Sequence, residues 1–296
     1  MKQIAIIGPT ASGKTSLAIE VAKKTNSVIL SLDSLSVYKE IDIASAKPTL
    51  AERDGIVHFG IDEICVNEKF DVIVFFEIYK KAKTFAQENN KNLIICGGSG
   101  FYLKSLIEGI SANIIASDDD ILWVNDMLLD LPKSYEFLQK IDPPYSSKIY
   151  ANDKYRIEKA LLIYKSSNLS PTQFFEKNPK VPLIKNLQIF EILWDKDELR
   201  VRINERTKKM FDDRLIDEVK FLISKYGKNQ VPFGSIGIKE VIDFLDGKIN
   251  FKECKELVEI HTAQLAKKQR TFNRGQFPNK ISANLETLKK EIFKYF

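Results

Sequence analysis

The sequence contains few of the residues that build disulfides and metal centres. Among its 296 residues are only three cysteines, scattered without C-x-x-C spacing, and two isolated histidines. An odd and dispersed set of cysteines argues against both a disulfide framework and a zinc site. No apolar stretch approaches the roughly 20 residues of a membrane span, and the N-terminus leads directly into a predicted strand without a secretory signal. These absences favour a reduced, cytoplasmic protein with no membrane partner.

Acidic residues are missing from one stretch near the C-terminus. From Thr262 to Leu285 there is no Asp or Glu, whereas there are five cations: Lys267, Lys268, Arg270, Arg274 and Lys280. If the stretch is helical, Lys267, Arg270 and Arg274 share one face. A charge run is most often only a solvated face, but a face of cations without compensating acids favours an anionic partner such as nucleic acid.

The N-terminal segment carries a complete phosphate-binding loop. It matches G-x-x-x-x-G-K-[ST] with Gly8, Pro9, Thr10, Ala11, Ser12, Gly13, Lys14 and Thr15. An apolar run at 4–7 predicts a buried strand before the loop, and residues 16–24 predict a helix after it. Backbone amides and the helix N-terminus then capture an anion, Lys14 reaches its terminal phosphates, and the Thr15 hydroxyl holds Mg²⁺. The sequence therefore predicts a site for a di- or triphosphate.

Strand and helix patterns alternate in the segments around this loop. Strands are expected at 27–32, 92–96 and 187–193, and helices at 70–87, although 72–76 also suits a strand, and through 102–107. This alternation predicts an α/β fold, with a P-loop NTPase-like parallel sheet flanked by helices. Loops 8–15, 33–36 and 97–100 would converge at the carboxyl ends of the strands, where such sheets bind ligands.

The remaining segments read as helical. Residues 111–182, which prolines interrupt, predict a small helical insertion domain that could close over the site, and 1–110 with 183–296 are expected to form the core that carries the phosphate loop. One long helix is expected at 196–226, with Ile203, Met210, Val219 and Leu222 on or near its apolar stripe. A last long helix is expected at 251–274.

Seven blocks of sequence, taken in order, resemble one family closely: the tRNA dimethylallyltransferases, also called tRNA isopentenyltransferases or the IPP transferase family. The resemblance spans nearly the whole chain, and the ordered set is far more specific than a phosphate loop alone. The blocks are 8–15, 31–34 with Val37-Tyr38, 44–48, 97–102, Asn152-Asp153 with Arg156 and Ala160-Leu161, 236–240, and 266–272 with Arg274.

The resemblance implies transfer of a dimethylallyl group from dimethylallyl diphosphate to N6 of adenosine 37, in tRNAs that read codons starting with U. The phosphate loop would then cradle the leaving diphosphate, with Mg²⁺ on Thr15 and Lys14 against the growing charge. Asp33 corresponds to the family's catalytic Asp, which orients N6 and accepts its proton. From its position alone, Asp33 could instead cap a helix or bind a metal-coordinated water. Ser99 stands where the family usually has Thr and is expected to contact the target nucleotide.

The resemblance also implies how the tRNA anticodon stem-loop is held. The target base must be flipped out of its stack, and phosphates are gripped by cations. Residue matching assigns tRNA contacts to Asp33, Ser34, Leu35, Ser36, Ser99, Tyr155, Arg156, Lys159, Lys239, Lys267, Lys268, Gln269, Arg270 and Arg274. Arg214 replaces a common family glycine, and Phe272 replaces a common tryptophan. Nothing in the sequence demands more than a monomer.

Three other functions remain open from the residues. A small-molecule P-loop kinase would explain the loop and Asp33 but not the acid-free stretch. An adenylate isopentenyltransferase would carry the same chemistry to free AMP or ADP, whereas the insertion and the cations favour a macromolecular acceptor. A nucleic-acid-binding module with a relic loop is disfavoured because Lys14, Thr15 and Asp33 are intact.

Overall fold

A parallel β-sheet forms the centre of the computed structural model, which describes residues 1–112 and 114–296. The strands are β1 (Gln3–Ile7), β2 (Ser27–Ser31), β3 (His58–Phe59), β4 (Asn92–Gly97), β5 (Gln188–Ile192) and β6 (Ile281–Ala283). Their order is β3-β2-β4-β1-β5-β6, with parallel pairing throughout. The predicted fold class is confirmed.

Helices surround the sheet and build a second unit. They are α1 (Lys14–Lys24), α2 (Leu50–Arg53), α3 (Val72–Glu88), α4 (Gly100–Glu108), α5 (Asp118–Met127), α6 (Leu131–Ile141), α7 (Pro143–Ser146), α8 (Lys154–Ser167), α9 (Pro171–Lys177), α10 (Lys196–Asp212), α11 (Leu215–Tyr226), α12 (Ile238–Leu245), α13 (Phe251–Gln276) and α14 (Leu285–Tyr295). A 3₁₀ turn covers Val231–Gly234.

The apolar runs of the sequence become the central strands because a parallel sheet is buried on both faces. Ile4 and Ile6 of β1 and Phe190 of β5 are fully buried, and they share one core cluster with Leu288 and Ile292 of α14. At the carboxyl end of β1, Ile7 pairs with Gly97 on one side and with Glu191 on the other. The phosphate loop therefore leaves the sheet at its centre.

The ambiguous run at 72–76 is the start of a helix, so its strand interpretation is wrong. The Asp71 carboxylate caps this helix by accepting hydrogen bonds from the amides of Ile73 (3.0 Å) and Val74 (3.2 Å). Phe75 and Tyr79 lie on its buried face at helical spacing. The cap and the period of the apolar residues together decide for helix over strand.

The single helix expected at 196–226 is also wrong, because the chain forms two helices there. It turns at Arg214, whose φ of 74° is left-handed and incompatible with a continuing α-helix. This is the position at which the resemblance expects glycine, the residue that adopts such a conformation without steric cost. The apolar stripe continues on both helices through Ile203, Met210, Val219 and Leu222.

The chain divides into two compact units, one made of 1–106 with 184–296 and the other of 107–183. The second unit has its own apolar core, in which Val124, Leu138, Ile157 and Leu161 are buried. The Asp142 carboxylate, 2% exposed, accepts hydrogen bonds from the amides of Tyr145 (3.0 Å) and Thr172 (2.6 Å) within this unit. In the described part of the chain, no helix combines the length and apolar character needed to cross a membrane.

Candidate functional site

The phosphate loop joins β1 to α1 in a conformation that depends on left-handed residues. Gly13 has a φ of 85°, which favours glycine, and Ala11 has a φ of 62°, which is uncommon for a residue with a side chain. The first turn of α1 follows directly, so its free amides and the positive end of its dipole face the loop. The loop is thus built as an anion cradle.

Lys14 lies within this cradle in a partly desolvated state. Its Nζ donates a hydrogen bond to the carbonyl oxygen of Pro9 at 2.6 Å. Burial lowers its pKa to about 8, and the nearby Arg206 guanidinium acts in the same direction. A lysine that is costly to keep charged gains most from a multiply charged anion.

Asp33 follows β2 and faces the same space. Its Oδ1 accepts hydrogen bonds from the amides of Leu35 (2.8 Å) and Ser36 (3.2 Å), which fixes the carboxylate. Among the described residues, none donates a hydrogen bond to Oδ2. One oxygen therefore positions the group, while the second remains available to a substrate proton.

The glycine turn at 97–100 is fastened against the end of β2. The amide of Ser99 donates to the carbonyl of Leu32 at 3.2 Å, and the amide of Leu32 donates to the carbonyl of Cys96 at 2.8 Å. A Cβ on Gly97 would lie 2.6 Å from the Cβ of Leu32, so only glycine permits this approach. The turn thereby brings Ser99 beside Asp33.

One cavity of about 370 Å³ joins the loops that the sequence predicted to converge. Thr10, Lys14 and Thr15 line it from the phosphate loop, and Asp33 and Ser99 line it from the neighbouring strand ends. Further walls come from 44–48, 234–236 and helices α10 and α13. An anion cradle and a candidate general base thus line one cavity.

Arg206, which was not among the predicted site residues, lines this cavity from α10. Burial lowers its pKa, whereas the carboxylate of Asp33 favours its charged form. The signal was present in the sequence. Arg206 follows Ile203 by three residues and precedes Met210 by four, so a cation occupies the apolar stripe of the helix.

Two further residues missed by the sequence analysis hold the phosphate loop from outside. Arg202 Nε donates to the carbonyl of Ala11 at 2.8 Å, and Trp194 Nε1 donates to the carbonyl of Ser12 at 2.9 Å. The Arg202 guanidinium carbon lies 4.5 Å from the centre of the Trp194 ring, within cation–π range. These two contacts fix the backbone of the loop through its carbonyl oxygens.

Hydrogen bonds from two half-buried charged side chains to the backbone fix the wall at 41–48. Glu218 accepts hydrogen bonds from the amides of Asp42 (2.9 Å), Ile43 (2.7 Å) and Ala44 (2.9 Å), although burial raises its pKa. Lys47 Nζ donates to the carbonyl of Tyr38 at 2.6 Å. The sequence block at 44–48 is therefore held in place by α11.

The predicted cations of α13 lie on an exposed surface. Lys267, Lys268, Arg270 and Arg274 are exposed, and three of them line a groove of about 950 Å³ with Lys196 and Arg200 of α10. Within the described residues, none of these α13 cations forms an ion pair. An unpaired row of cations beside an open groove suits a polyanion.

The other residues assigned to tRNA are distributed over both units. Lys239 is exposed and Ser34 is exposed, whereas Ser36 is buried with its Oγ 3.1 Å from that of Ser31. In the second unit Tyr155 is 69% exposed, and Lys159 Nζ lies 5.7 Å from the centre of its ring. Arg156 forms an ion pair of 2.6 Å with Asp153 there.

Gln269 differs from its neighbours on α13 because its side chain faces inward. It lines the 370 Å³ cavity, and its Oε1 accepts a hydrogen bond from the amide of Thr10 at 2.8 Å.

On α12, the exposed Lys239 is followed by an inward-facing residue, Glu240. The Glu240 carboxylate accepts from the amide of Gly237 (2.6 Å) and contacts His261 Nδ1 (2.6 Å).

The chain is similar to one family throughout its length. A family model described as IPP transferase matches residues 36–276. A tRNA dimethylallyltransferase of Aliarcobacter butzleri is 53% identical over 296 residues, covering 100% of this chain and 99% of that protein. The enzyme of the same name from Campylobacter concisus is 49% identical over 294 residues, covering 99% and 98%. The family model begins after the phosphate loop and Asp33, but both relatives cover them.

Two solved structures also align with nearly the whole of this chain. A tRNA isopentenylpyrophosphate transferase from Bacillus halodurans aligns with a TM-score of 0.73 and 29% identity, covering 99% of this chain and 95% of that one. A eukaryotic dimethylallyltransferase acting on tRNA aligns with a TM-score of 0.84 over 97% of this chain and 75% of that one. Its identity is 24%, so this second likeness concerns the fold alone.

Proposed function

Because this chain belongs to the IPP transferase family, we propose that it transfers a dimethylallyl group from dimethylallyl diphosphate to N6 of adenosine 37 in tRNA. The acceptors are tRNAs that read codons starting with U, and the products are N6-isopentenyladenosine and diphosphate. One observation carries the proposal: the phosphate loop, Asp33 and Ser99 line a single cavity. We further propose that the protein acts on tRNA in the cytoplasm and works as a monomer.

The phosphate loop binds the diphosphate that becomes the leaving group. As the bond between C1 and the diphosphate oxygen breaks, negative charge grows on the diphosphate. The loop amides, the N-terminus of α1, Lys14 and Arg206 face this charge, and such fixed electrostatics is commonly the largest catalytic contribution. The loop therefore acts on a leaving group rather than on a nucleotide to be hydrolysed.

Asp33 prepares the nucleophile. The free Oδ2 accepts a hydrogen bond from the exocyclic amine of adenine, and it takes the N6 proton as the new bond between N6 and C1 forms. The two amide hydrogen bonds to Oδ1 hold the carboxylate for this task. Ser99 lies beside it and positions the target nucleotide through its hydroxyl.

The residues present fit a magnesium ion carried by the diphosphate. Thr15 lines the cavity together with Asp33, and Mg²⁺ sites often combine one or two protein oxygens with substrate phosphates and water. In the described residues no cluster of His, Cys, Asp and Glu forms a separate metal site. Thr15 would hold the ion, which when bound neutralises charge on the leaving diphosphate.

The exposed cations hold the tRNA. Lys267, Lys268, Arg270 and Arg274 bind phosphates of the anticodon stem-loop, so that the target base, flipped from its stack, can enter the cavity. In the insertion domain, Tyr155, Arg156 and Lys159 contribute further tRNA contacts. Lys239 and 33–36 contact the loop near the target base.

The experiment that tests this function is transfer of a radiolabelled dimethylallyl group with Mg²⁺ to three acceptors. These are an unmodified tRNA with adenosine 37, the same tRNA with guanosine there, and free AMP. We expect label on the adenosine tRNA alone. Label on AMP would identify an adenylate isopentenyltransferase, and a thermal shift with ATP but not with dimethylallyl diphosphate would identify a kinase.

Asp33→Asn tests the general base within the same assay. We expect single-turnover transfer to fall by about 10²–10⁴, the usual contribution of general acid–base catalysis. Binding of Mg²⁺ and dimethylallyl diphosphate should change less than about twofold, because the anion cradle is intact. An unchanged single-turnover rate would remove Asp33 from this role.

A further inference from the structure

Helix α13 presents opposite chemistries on two faces. Its exposed face carries Lys267, Arg270 and Arg274, whereas Gln269 and Asn273 point into the protein. Gln269 and Asn273 are four residues apart and therefore share one face of the helix. The inward face of α13 is apolar at Cys254, Val258 and Ala266, as expected for a helix packed on a core, but polar at Gln269 and Asn273. These two amides need an explanation.

The Gln269 amide lies between the two loops that hold the reactants. Its Oε1 accepts a hydrogen bond from the amide of Thr10 in the phosphate loop at 2.8 Å. On the other side, a Cβ added to Gly98 would lie 2.4 Å from Gln269 Nε2. The glycine turn is therefore in direct contact with the amide, and it has room for this contact only because residue 98 has no side chain.

Two anchors fix the position from which Gln269 reaches. Asn273 Nδ2 donates to the buried carboxylate of Glu191 at the end of β5, over 3.0 Å. Phe272 packs so closely on Gly100 that a Cβ there would lie 2.6 Å from its ring. The helix is thus fixed to the end of β5 and to Gly100 one turn beyond Gln269, and it cannot slide along the loops without breaking a buried contact.

We propose that Gln269 is a positioning residue that sets the separation between the diphosphate loop and the acceptor turn at 98–99. The inference rests on the proposed function, in which Thr10 belongs to the donor side and Ser99 to the acceptor side. Transfer requires C1 and N6 to meet in line, and a misplacement of about 1 Å can cost roughly a hundredfold in rate. Residue matching assigned Gln269 to tRNA, whereas its contacts in the structure are with these two loops.

Gln269→Met tests the proposal, because methionine has a similar length but no amide. We expect the single-turnover rate, with both substrates saturating, to fall by about 10–100-fold. The dissociation constants for Mg²⁺ with dimethylallyl diphosphate, and for the anticodon stem-loop, should each change less than about threefold. A purely structural role would instead move the melting temperature and the dissociation constants, so that pattern, like an unchanged rate, would overturn the proposal.

Gly98→Ala supplies a second route to the same displacement. The backbone of Gly98 lies outside the left-handed region, so alanine is tolerated there, and its Cβ pushes the flexible Gln269 amide away from Thr10. We expect the same loss of single-turnover rate as for Gln269→Met. The double variant with both substitutions should lose no more rate than either single variant. Independent, multiplicative losses would contradict the proposal.

Gln87→Met is the matched control, since Gln87 is an exposed glutamine on α3 and lines neither the 370 Å³ cavity nor the groove of the cations. Its single-turnover rate should match that of the unchanged protein; an equal loss in this variant would overturn the assignment to Gln269. Transfer by the unchanged protein distinguishes a failure of the proposed function from a failure of the positioning role. If it transfers no label to tRNA, the proposed function fails; if it transfers label and Gln269→Met does so equally fast, only the positioning role fails.

Discussion

Lys14 carries a pKa that burial lowers to about 8, and this makes diphosphate binding sensitive to pH. Below that pH the ammonium is charged, whereas above it the free protein holds a neutral amine. A bound diphosphate favours the charged form and raises the pKa again. Binding of dimethylallyl diphosphate should therefore take up a proton near pH 8.5 and weaken as the pH rises further.

Isothermal titration without tRNA, in two buffers of different ionisation enthalpy, measures that proton. Alkyl diphosphate is fully ionised at pH 8.5, because the last phosphate ionisation lies near 6, so the proton taken up belongs to the protein. At pH 7.0 uptake should be close to zero. Equal enthalpies in both buffers at pH 8.5 would show that Lys14 keeps its usual pKa in the folded protein.

The same shift has a consequence for the stability of the free protein. Between about pH 8 and the usual lysine pKa of 10.5, the unfolded chain binds a proton that the folded chain lacks. The contribution of Lys14 to the free energy of unfolding therefore rises with pH in this window and is unfavourable below it. The lysine is retained for binding, at a cost in stability.

The residues of the phosphate loop were predictable because anion capture requires glycines, a lysine and a hydroxyl at fixed spacing. Arg206, Arg202 and Trp194 were not predicted to act on the loop. Helical periodicity places Arg206 on a stripe, but it does not say which loop that stripe faces. Trp194 follows a predicted strand, and only the pairing of β5 beside β1 brings it to Ser12.

At the scale of elements, α13 should contribute through charge. Arg270→Glu should weaken binding of the anticodon stem-loop and lower the slope of log affinity against log salt by about one, since one phosphate contact is lost. Lys81→Glu, which makes the same charge change at an exposed position of α3, is the control. Affinity measured from low to high salt distinguishes the two, and parallel slopes for both variants would mean that the α13 face is only solvated.

The turn between α10 and α11 gives a second prediction for an element. Arg214 has a φ of 74° and forms an exposed ion pair of 2.8 Å with Asp217. A residue with a side chain is disfavoured there by about 1–2 kcal/mol, and an exposed pair contributes little in return. Arg214→Gly should therefore raise the free energy of unfolding by about 1 kcal/mol in denaturant titrations.

Arg214→Ala separates the two contributions, because it removes the ion pair and keeps the strained backbone. It should leave stability within about 0.5 kcal/mol of the unchanged protein. If alanine and glycine stabilise equally, backbone strain at this turn is not the cause. The sequence could not place the turn, since the apolar stripe runs through 203–222 without a proline or glycine to interrupt it.

At the scale of the whole molecule, each of the two units has buried apolar residues of its own. The sheet core contains Ile4, Ile6 and Phe190, and the core of the second unit contains Leu138 and Leu161. The sequence predicted a separate helical insertion from the change in composition near residue 111. It could not give β6 or α14, because three residues of strand and one short amphipathic helix are weak signals that only pairing with β5 and packing on α1 make stable.

Because the second unit has its own core, one substitution there should change the affinity for tRNA and leave the affinity for the diphosphate substrate unchanged. Leu138 is fully buried in the second unit, and Leu138→Ala should cost about 2–5 kcal/mol there. All the described residues that line the diphosphate cavity belong to the first unit, so affinity for Mg²⁺ with dimethylallyl diphosphate should change less than about twofold. If the second unit carries tRNA contacts, affinity for the anticodon stem-loop should fall at a temperature where this unit is loosened.

Leu129→Ala is the matched control, because Leu129 belongs to the same unit but is 84% exposed. It should leave both affinities and the melting profile unchanged. Calorimetry on Leu138→Ala should show a transition at lower temperature that dimethylallyl diphosphate does not shift, since a ligand stabilises only the structure that binds it. A single transition whose temperature rises with the diphosphate would mean that the two units unfold together. An unchanged stem-loop affinity in the loosened protein would assign tRNA recognition to the α13 cations.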